Sequence, residues 1–324
     1  MKVHVLHENP DWYAPLAAAF DAAGVPHQEW RLGSGLLDLD EPPPAGVFWS
    51  RMSASSYSRG HPFAKDQTRG VLTWLESHGR RVVNGRRVLD LEMSKVEQLA
   101  LLRAAGFDVP RTLAVAGACG LAAAARRLAV PFIGKPNQGG KGAGVRLFTS
   151  HEEFETYLAS PGYEVPVDGI TLLQEYLWPA EPRITRVEIV GGEYMYAITA
   201  DTALGGFELC PADACAVDAQ GGQGDAEIFA LRTGFDHPVV GRYTDFARTH
   251  GIEIAGFEFI ETADGRLVTY DINSTTNYNA AIEAVAPRPA LPAVARFLGR
   301  LLADEAGRAE HAPAVTGASD RRTT

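Results

Sequence analysis

Three oxygen-bearing side chains near the C-terminal end carry the first chemical signal: Glu258 in IEIAGFEFIE, and Asp271 with Asn273 in RLVTYDIN. These apolar runs, joined by the turn TADG, read as a β-hairpin. A period of two puts Leu267, Thr269, Asp271 and Asn273 on one face and Val268, Tyr270 and Ile272 on the other. With Ala263-Asp264 as the turn, Glu258 pairs with Thr269. Glu258 and Asp271 are then diagonal neighbours, about 7–8 Å apart at Cα. Two carboxylates and an amide oxygen at that range suit a hard cation such as Mg²⁺, which takes oxygen ligands and shares them with substrate phosphates. Either acid alone reads more simply as hydrogen-bonded or salt-bridged; the three together favour metal.

The stretch PFIGKPNQGGKGAGVRLF, residues 131–148, is the second signal. It is not a Walker A loop, because Lys141 is followed by Gly142 and position 135 is lysine. It is not a dinucleotide fingerprint, because position 145 is valine. A strand follows the glycines, so no helix N-terminus is available there for an anion. A glycine hairpin between two strands can instead fold over phosphates and donate backbone N–H groups. Lys135, among apolar neighbours in FIGKP, either snorkels to solvent or meets a phosphate. Lys95 sits in the first turn of a helix, where the macrodipole disfavours a cation unless an anion is near or the side chain is exposed. Arg186 in ITRVEIV, expected at the edge of a β-rich layer, is either a surface ion pair or a stabiliser of transferring oxygens. In SRMSASSYSRGHPF, Arg51, Arg59 and His61 are either a solvated polar loop or a carboxylate grip. STTNYN, after Asn273, suits a turn or substrate contacts.

The elements that position these residues fall into units. Residues 1–92 alternate strands (KVHVL, GVFWSRM, RVVN) with helices, implying a parallel αβ layer. Residues 93–170 begin with a helix capped by a Ser94/Glu97 box and hold the glycine stretch. Residues 171–304 are β-rich, with strands TLLQEYL, ITRVEIV and EYMYAIT, a Gly191-Gly192 turn, a loop over 201–222, and helices at 239–250 and 289–303. Residues 305–324 are polar and expected to be disordered.

The chain has 324 residues, is 46% hydrophobic and carries a net charge of -10, which argues for a globular protein and against a nucleic-acid partner. Cys119, Cys210 and Cys215 match no zinc spacing and read as reduced thiols. No signal peptide or membrane span is legible, so a cytoplasmic location without a membrane partner is expected. A homodimer is left open.

The ordered set of Lys95, Lys135 with its glycine loop, LLQEYL, the Arg186 strand and the acid hairpin resembles the ATP-grasp superfamily over about residues 93–285, most closely RimK-type and glutathione-synthetase-like carboxylate–amine ligases. The resemblance implies an α/β (α+β) chain: an ATP-grasp fold behind an N-terminal pre-ATP-grasp αβ domain. It implies that Lys95 and Lys135 contact the α- and β-phosphates of ATP. The loop of Gly139, Gly140, Lys141, Gly142 and Gly144 closes over the triphosphate, with Lys141 near the γ-phosphate or in solvent. Gln174, Glu175 and Leu177 meet adenine, and Glu181 the ribose. Glu258, Asp271 and Asn273 hold two Mg²⁺, with Mn²⁺ as the alternative. Arg186 faces the γ-phosphate and an acyl phosphate. Arg51, Arg59, His61, Ser274 and Asn277 are the candidate substrate contacts. The substrates are a small carboxylic acid, on an amino acid or small peptide, and an amine. The chain departs from the RimK-type pattern at Ile184, where aspartate is usual, and at Asp201-Thr202, where arginine is usual, which puts a glutamate-type acceptor in doubt. Asp271 replaces the usual glutamate and can still ligate. The rival readings are an ATP-grasp kinase, an ester or thioester former, and a non-catalytic ATP-binding module.

Overall fold

The computed structural model of the chain describes residues 1–140, 142–205 and 228–311. Three sheets follow one another. The first is parallel, in the order β2-β1-β3-β4, from β1 (Lys2–His7), β2 (His27–Arg31), β3 (Gly46–Ser50) and β4 (Arg81–Val83). Every residue of β3 is buried, as expected for the inner strand of a sheet covered on both faces. Helices α1 (Ala14–Ala22) and α2 (Ala64–Ser77) belong to this unit, and α3 (Arg86–Glu92) leaves it.

The second unit opens with α4 (Lys95–Ala104) and continues through β5 (Thr112–Ala116), α5 (Leu121–Ala125), β6 (Phe132–Pro136), β7 (Arg146–Phe148), α6 (His151–Ala159) and β8 (Ile170–Glu175). Its sheet is antiparallel in the order β5-β8-β6-β7, closed by Phe132, Phe148 and Phe154. Ser94 caps α4 by accepting from Glu97 N at 3.2 Å. The Glu97 carboxylate pairs with Arg87, so only one half of the expected capping box forms among these bonds.

The third sheet is antiparallel, in the order β11-β10-β9-β12-β13: β9 (Arg183–Val190), β10 (Glu193–Asp201), β11 (Phe229–Leu231), β12 (Ile254–Glu261) and β13 (Leu267–Asn273). Strand β10 reaches Asp201 and a short helix α7 (Thr202–Gly205) follows, where a loop was expected. The remainder of that loop from residue 206, with Cys210 and Cys215, lies outside the described residues; Cys119 is free and exposed. Helices α8 (Val239–His250), α9 (Ala280–Val285) and α10 (Ala290–His311) complete the described residues. One face of the third sheet packs Val187, Ile189, Phe257 and Phe259 against Tyr243 and Phe246 of α8. On the other side, Val294 and Leu298 of α10 join one core with Val3, Val5, Phe20 and Ile198, tying the last helix to both outer sheets.

Helix α10 continues through His311, so residues 305–311 are helical rather than part of a disordered tail. Alanine, glutamate and arginine are good helix formers, and Arg308 pairs with Glu305 at 2.8 Å within the last turns. Residues 312–324 lie outside the described set. No helix of the described residues is long and apolar enough to cross a membrane.

Candidate active site

Strand β13 is the edge of the third sheet, and its backbone needs partners. Gln98 of α4 supplies them: its Nε2 donates to Ile272 O at 2.9 Å and its Oε1 accepts from Ile272 N at 2.9 Å. Asp108 O takes Thr269 N at 2.9 Å. Helix α4 therefore lies along this edge. Lys95, one turn before Gln98 on the same helix face, meets the residue next to Ile272: Lys95 Nζ donates to Asp271 Oδ1 at 2.5 Å.

The hairpin register differs from the sequence expectation in two steps. Thr262 N pairs with Arg266 O, leaving a three-residue loop that ends in Gly265 at φ 83°, a conformation that favours glycine. A β-bulge then falls between Glu258 and Phe259, leaving Tyr270 as the extra residue. Glu258 thus lies directly opposite Asp271, and Phe259 opposite Thr269. In such a bulge both residues of the bulged strand face the same way as the one they oppose. Tyr270 and Asp271 therefore both reach the Glu258 side, and Tyr270 Oη donates to Glu258 Oε2 at 2.7 Å. Thr269 turns to the opposite face, where it bonds Tyr243 Oη at 2.7 Å. The single face expected for Leu267, Thr269, Asp271 and Asn273 is split at the bulge.

Two rows of three now cross β9, β12 and β13. Arg186, Glu258 and Asp271 form one; Glu188, Gly256 and Asn273 form the next. Arg186 is on the central strand of the sheet, not at an edge, and is 7% exposed. Its Nε donates to Glu188 Oε1 at 2.7 Å, its NH1 group to Glu258 Oε1 at 3.4 Å, and its NH2 group to Thr276 Oγ1 at 2.6 Å and Asn277 O at 3.2 Å. Asn273 Nδ2 donates to Glu258 Oε1 at 2.9 Å, which leaves its Oδ1 as an acceptor for a cation.

Burial raises the Glu258 carboxyl above its ordinary value, against the pull of Arg186. Burial lowers the Lys95 ammonium, but Asp271 together with Glu92 and Glu258 more than offsets this and holds it above its ordinary value. Lys135 is pushed down to about 8, first by burial and then by neighbouring Lys95. Burial pushes Glu92 up to about 7, opposed by Ser274. A buried Lys135 beside a half-buried Lys95, and two carboxylates face to face, are a costly set in the absence of a ligand. An anion at the lysines and a cation at the acids would relieve both. No group of three or more His, Cys, Asp and Glu side chains able to hold a metal occurs among the described residues. Two carboxylates with one amide oxygen are instead the sparse set expected for Mg²⁺ that shares its ligands with phosphate.

One pocket collects Lys95, Lys135, Gly139, Gly140, Gly142, Gln174, Glu175, Leu177, Arg186, Glu258, Asp271, Asn273 and Asn277. Gly144 lies outside that lining, at the end of the glycine turn, and Lys141 lies outside the described residues. Glu181 does not line the pocket; it is exposed and paired with Arg183 at 3.0 Å. Three substrate candidates are engaged elsewhere. Arg51, 2% exposed, donates to Trp12 O, Thr276 O and Asn277 Oδ1. Arg59 pairs with Glu8. Ser274 gives both its N–H and its hydroxyl to Glu92 Oε2. His61 packs on Gly33, also off the pocket.

Sequence reading passed over Glu188 and Glu92, put Tyr270 on the face away from the acids, and gave Thr276 no role beyond that of STTNYN as a whole. Glu188 had a signal: it stands two residues after Arg186 in a strand, hence on the same face. Glu92 had none, because its partner Ser274 is far away in the chain.

Comparison with solved structures places this geometry in a known architecture. The RimK domain ATP-grasp protein from Sphaerobacter thermophilus DSM 20745 superposes with a TM-score of 0.67 at 17% identity, covering 92% of this chain and 99% of its own. This is the ATP-grasp fold. D-cycloserine synthetase DcsG gives a TM-score of 0.62 at 17% identity, over 93% of this chain and 99% of that one. The macrocyclase MdnC from Microcystis aeruginosa MRC, bound with precursor peptide MdnA, gives 0.61 at 16% identity, over 93% and 100%. No protein-family model matches the sequence, and no curated protein sequence matches it.

Proposed function

We propose that the chain is an ATP-dependent ligase that joins a carboxylic acid to an amine through an acyl phosphate. The observation that carries this reading is that buried Lys135, half-buried Lys95, the acid hairpin and Arg186 line one pocket beside the glycine loop. Lys95 and Lys135 bind the phosphates of ATP, Gly139–Gly142 cover them, and Gln174, Glu175 and Leu177 hold the base. Glu258, Asp271 and Asn273 hold Mg²⁺, two ions by analogy with the fold family. The metal supplies neutralisation of phosphate charge.

The chemistry asked of the protein is positioning and electrostatics. The substrate carboxylate oxygen attacks the γ-phosphorus and ADP leaves, giving the acyl phosphate. The amine attacks the acyl carbon, loses a proton and expels phosphate, leaving an amide. Arg186, held by Glu188 and Thr276, would steady the transferring oxygens with its guanidinium. Closure of the glycine loop excludes water that would hydrolyse the intermediate.

Solved neighbours hold precursor peptides, MdnA on MdnC and a minimal precursor on PsnB, so the acid or amine can be peptide-borne here as well. The test is ADP and phosphate release over a panel of acids, amines and peptides, with hydroxylamine to trap the acyl phosphate as a hydroxamate. Release that needs both acid and amine, with amide product by mass, supports the ligase. Phosphorylated product without phosphate release replaces it with a kinase, and nucleotide binding without turnover replaces it with a binding module.

A further inference from the structure

The carboxylates that line the pocket are Glu92, Glu175, Glu258 and Asp271. Glu258 and Asp271 form the acid hairpin. Glu175, which accepts from Arg111 N at 2.8 Å, is assigned with Gln174 and Leu177 to the base. Glu92, the last residue of α3, has no part in either. It does not join Glu258 and Asp271 around a cation, since no group of three such side chains at metal range occurs among the described residues. Lys95, whose charge draws on Glu92, bonds Asp271 instead.

Glu92 stands where three segments meet. Its Oε2 accepts from Ser274 N at 2.8 Å and Ser274 Oγ at 2.7 Å, and its Oε1 from Ala54 N at 3.5 Å. A carboxylate oxygen has room for about two such bonds. Oε2 is therefore filled by fixed donors that orient the group, while Oε1 holds one long bond and can take another. Ser53, Ser55 and Thr275, chain neighbours of these donors, line the same pocket. The segment 274–277 links Glu92 to the reacting centre. Ser274 holds the carboxylate, and two residues on, Thr276 Oγ1 and Asn277 O accept from the Arg186 NH2 group at 2.6 Å and 3.2 Å. A carboxylate in this place repels the acid substrate and the phosphates and attracts an ammonium.

We propose that Glu92 receives the amine substrate: its Oε1 binds the incoming ammonium and takes the proton that the nitrogen must lose before it attacks. This rests on reading the pocket as the site of an ATP-dependent ligase. The proton passes from nitrogen to Oε1, and the freed lone pair forms the bond to the acyl carbon. The bond from that carbon to the phosphate oxygen breaks, and a second proton of the nitrogen leaves with the phosphate. Burial raises the Glu92 carboxyl to about 7, opposed by Ser274, where a group can take a proton and return it near neutral pH. Glu92 thus serves the second step alone, and the acceptor class it selects is an ammonium rather than an alcohol or thiol.

Hydroxylamine separates this role from the rest of the site, because it is largely uncharged near neutral pH and attacks without first giving up a proton. Amino acids and dipeptides are offered to wild type and Glu92→Gln as acids, with ATP, Mg²⁺ and hydroxylamine. The acids that give hydroxamate are then paired with amino acids as amines. The glutamine keeps an oxygen for Ser274 and turns an NH2 group toward the ammonium. Glu92→Gln is expected to form hydroxamate at close to the wild-type rate and to lose about 100-fold or more in kcat/KM of the amine for amide formation, the scale of a missing general base. Glu92→Asp, which keeps the charge on a shorter arm, should recover part of that loss. If Glu92→Gln does not fold, Glu92→Asp carries the test, with amide formation reduced and hydroxamate retained. Equal amide formation by wild type and the variants overturns the proposal. A parallel loss of hydroxamate and amide also overturns it, and leaves Glu92 as a tie between Ala54 and Ser274. Hydroxamate from wild type with no amide from any amine keeps the acyl phosphate and discards the ammonium acceptor. No hydroxamate from any acid discards the ligase itself, and the role of Glu92 with it.

Discussion

Gly256 lies beneath Arg186: a Cβ added at position 256 would stand 2.8 Å from Arg186 Nε and 3.1 Å from its Cδ. The position sits between Glu188 on β9 and Asn273 on β13. A glycine in the middle of a strand weakens it, and is expected where another group must approach closely. Here that group is the guanidinium. Gly256→Ala forces Arg186 off its bonds to Glu188 and Thr276. We expect kcat for ADP release to fall about 100-fold, as for loss of one oxyanion donor, while AMPPNP binding changes little. An unchanged kcat would detach Arg186 from catalysis.

Asp271→Asn tests the hairpin as a metal site. Asp271 lies two residues before the end of β13, and its ion pair with Lys95 Nζ would become a hydrogen bond from the ammonium to an amide oxygen. The variant keeps the side-chain volume, so Tm is expected to move by only a few degrees. Mg²⁺-dependent ADP release should drop by about two orders of magnitude or more, the scale of a lost electrostatic contact to the reacting group. Full turnover in Asp271→Asn would remove the metal assignment.

Glu188 is 1% exposed and accepts from both Arg186 and Thr276. Glu188→Ala leaves the buried guanidinium with less compensation, and breaking a buried pair in this way costs about 3–5 kcal/mol. Urea unfolding should show that loss. Glu188→Gln, which can still accept from Arg186 Nε, should recover most of the stability and part of kcat. Equal stability in wild type and Glu188→Ala would mean that Arg186 is held by its other contacts.

The residues that carry the chemistry were legible because their types are improbable where they stand: a lysine in FIGKP, an acid in LVTYDIN. Their neighbours were less so. The expected pairing of Glu258 with Thr269 assumed a two-residue turn and an unbroken ladder. Gly265 lengthened the loop by one residue, and the bulge at Tyr270 moved the partner by another. Arg186 was expected at an edge because nothing in ITRVEIV reveals that β12, more than sixty residues later, pairs beside it. Arg51 and Arg59 stayed open between a solvated loop and a carboxylate grip for the same reason, since Thr276, Asn277 and Glu8, which engage them, come from remote segments. Local pattern fixes element type; facing beyond a bulge, strand order, register and the partners of buried ions depend on long-range packing.

Lys135 gives the site a pH signature. Its folded, ligand-free pKa of about 8 lies below the ordinary 10.5 because burial disfavours the ammonium and Lys95 repels it. Between those values the unfolded chain binds the extra proton and the folded chain does not, so this residue's contribution to stability rises with pH through that window. Nucleotide binding reverses the sign. A triphosphate beside the amine favours the charged form and lifts its pKa, so the complex holds a proton that the free protein has half released. At pH 8 binding of AMPPNP should take up about half a proton per site, and affinity should weaken as pH rises from 8 toward 10. Calorimetric titration in two buffers of different ionisation enthalpy measures the uptake directly. Lys135→Gln should lower affinity at pH 7 and abolish both the uptake and the pH slope. An undiminished uptake in Lys135→Gln would assign the proton to another group and separate Lys135 from the phosphates.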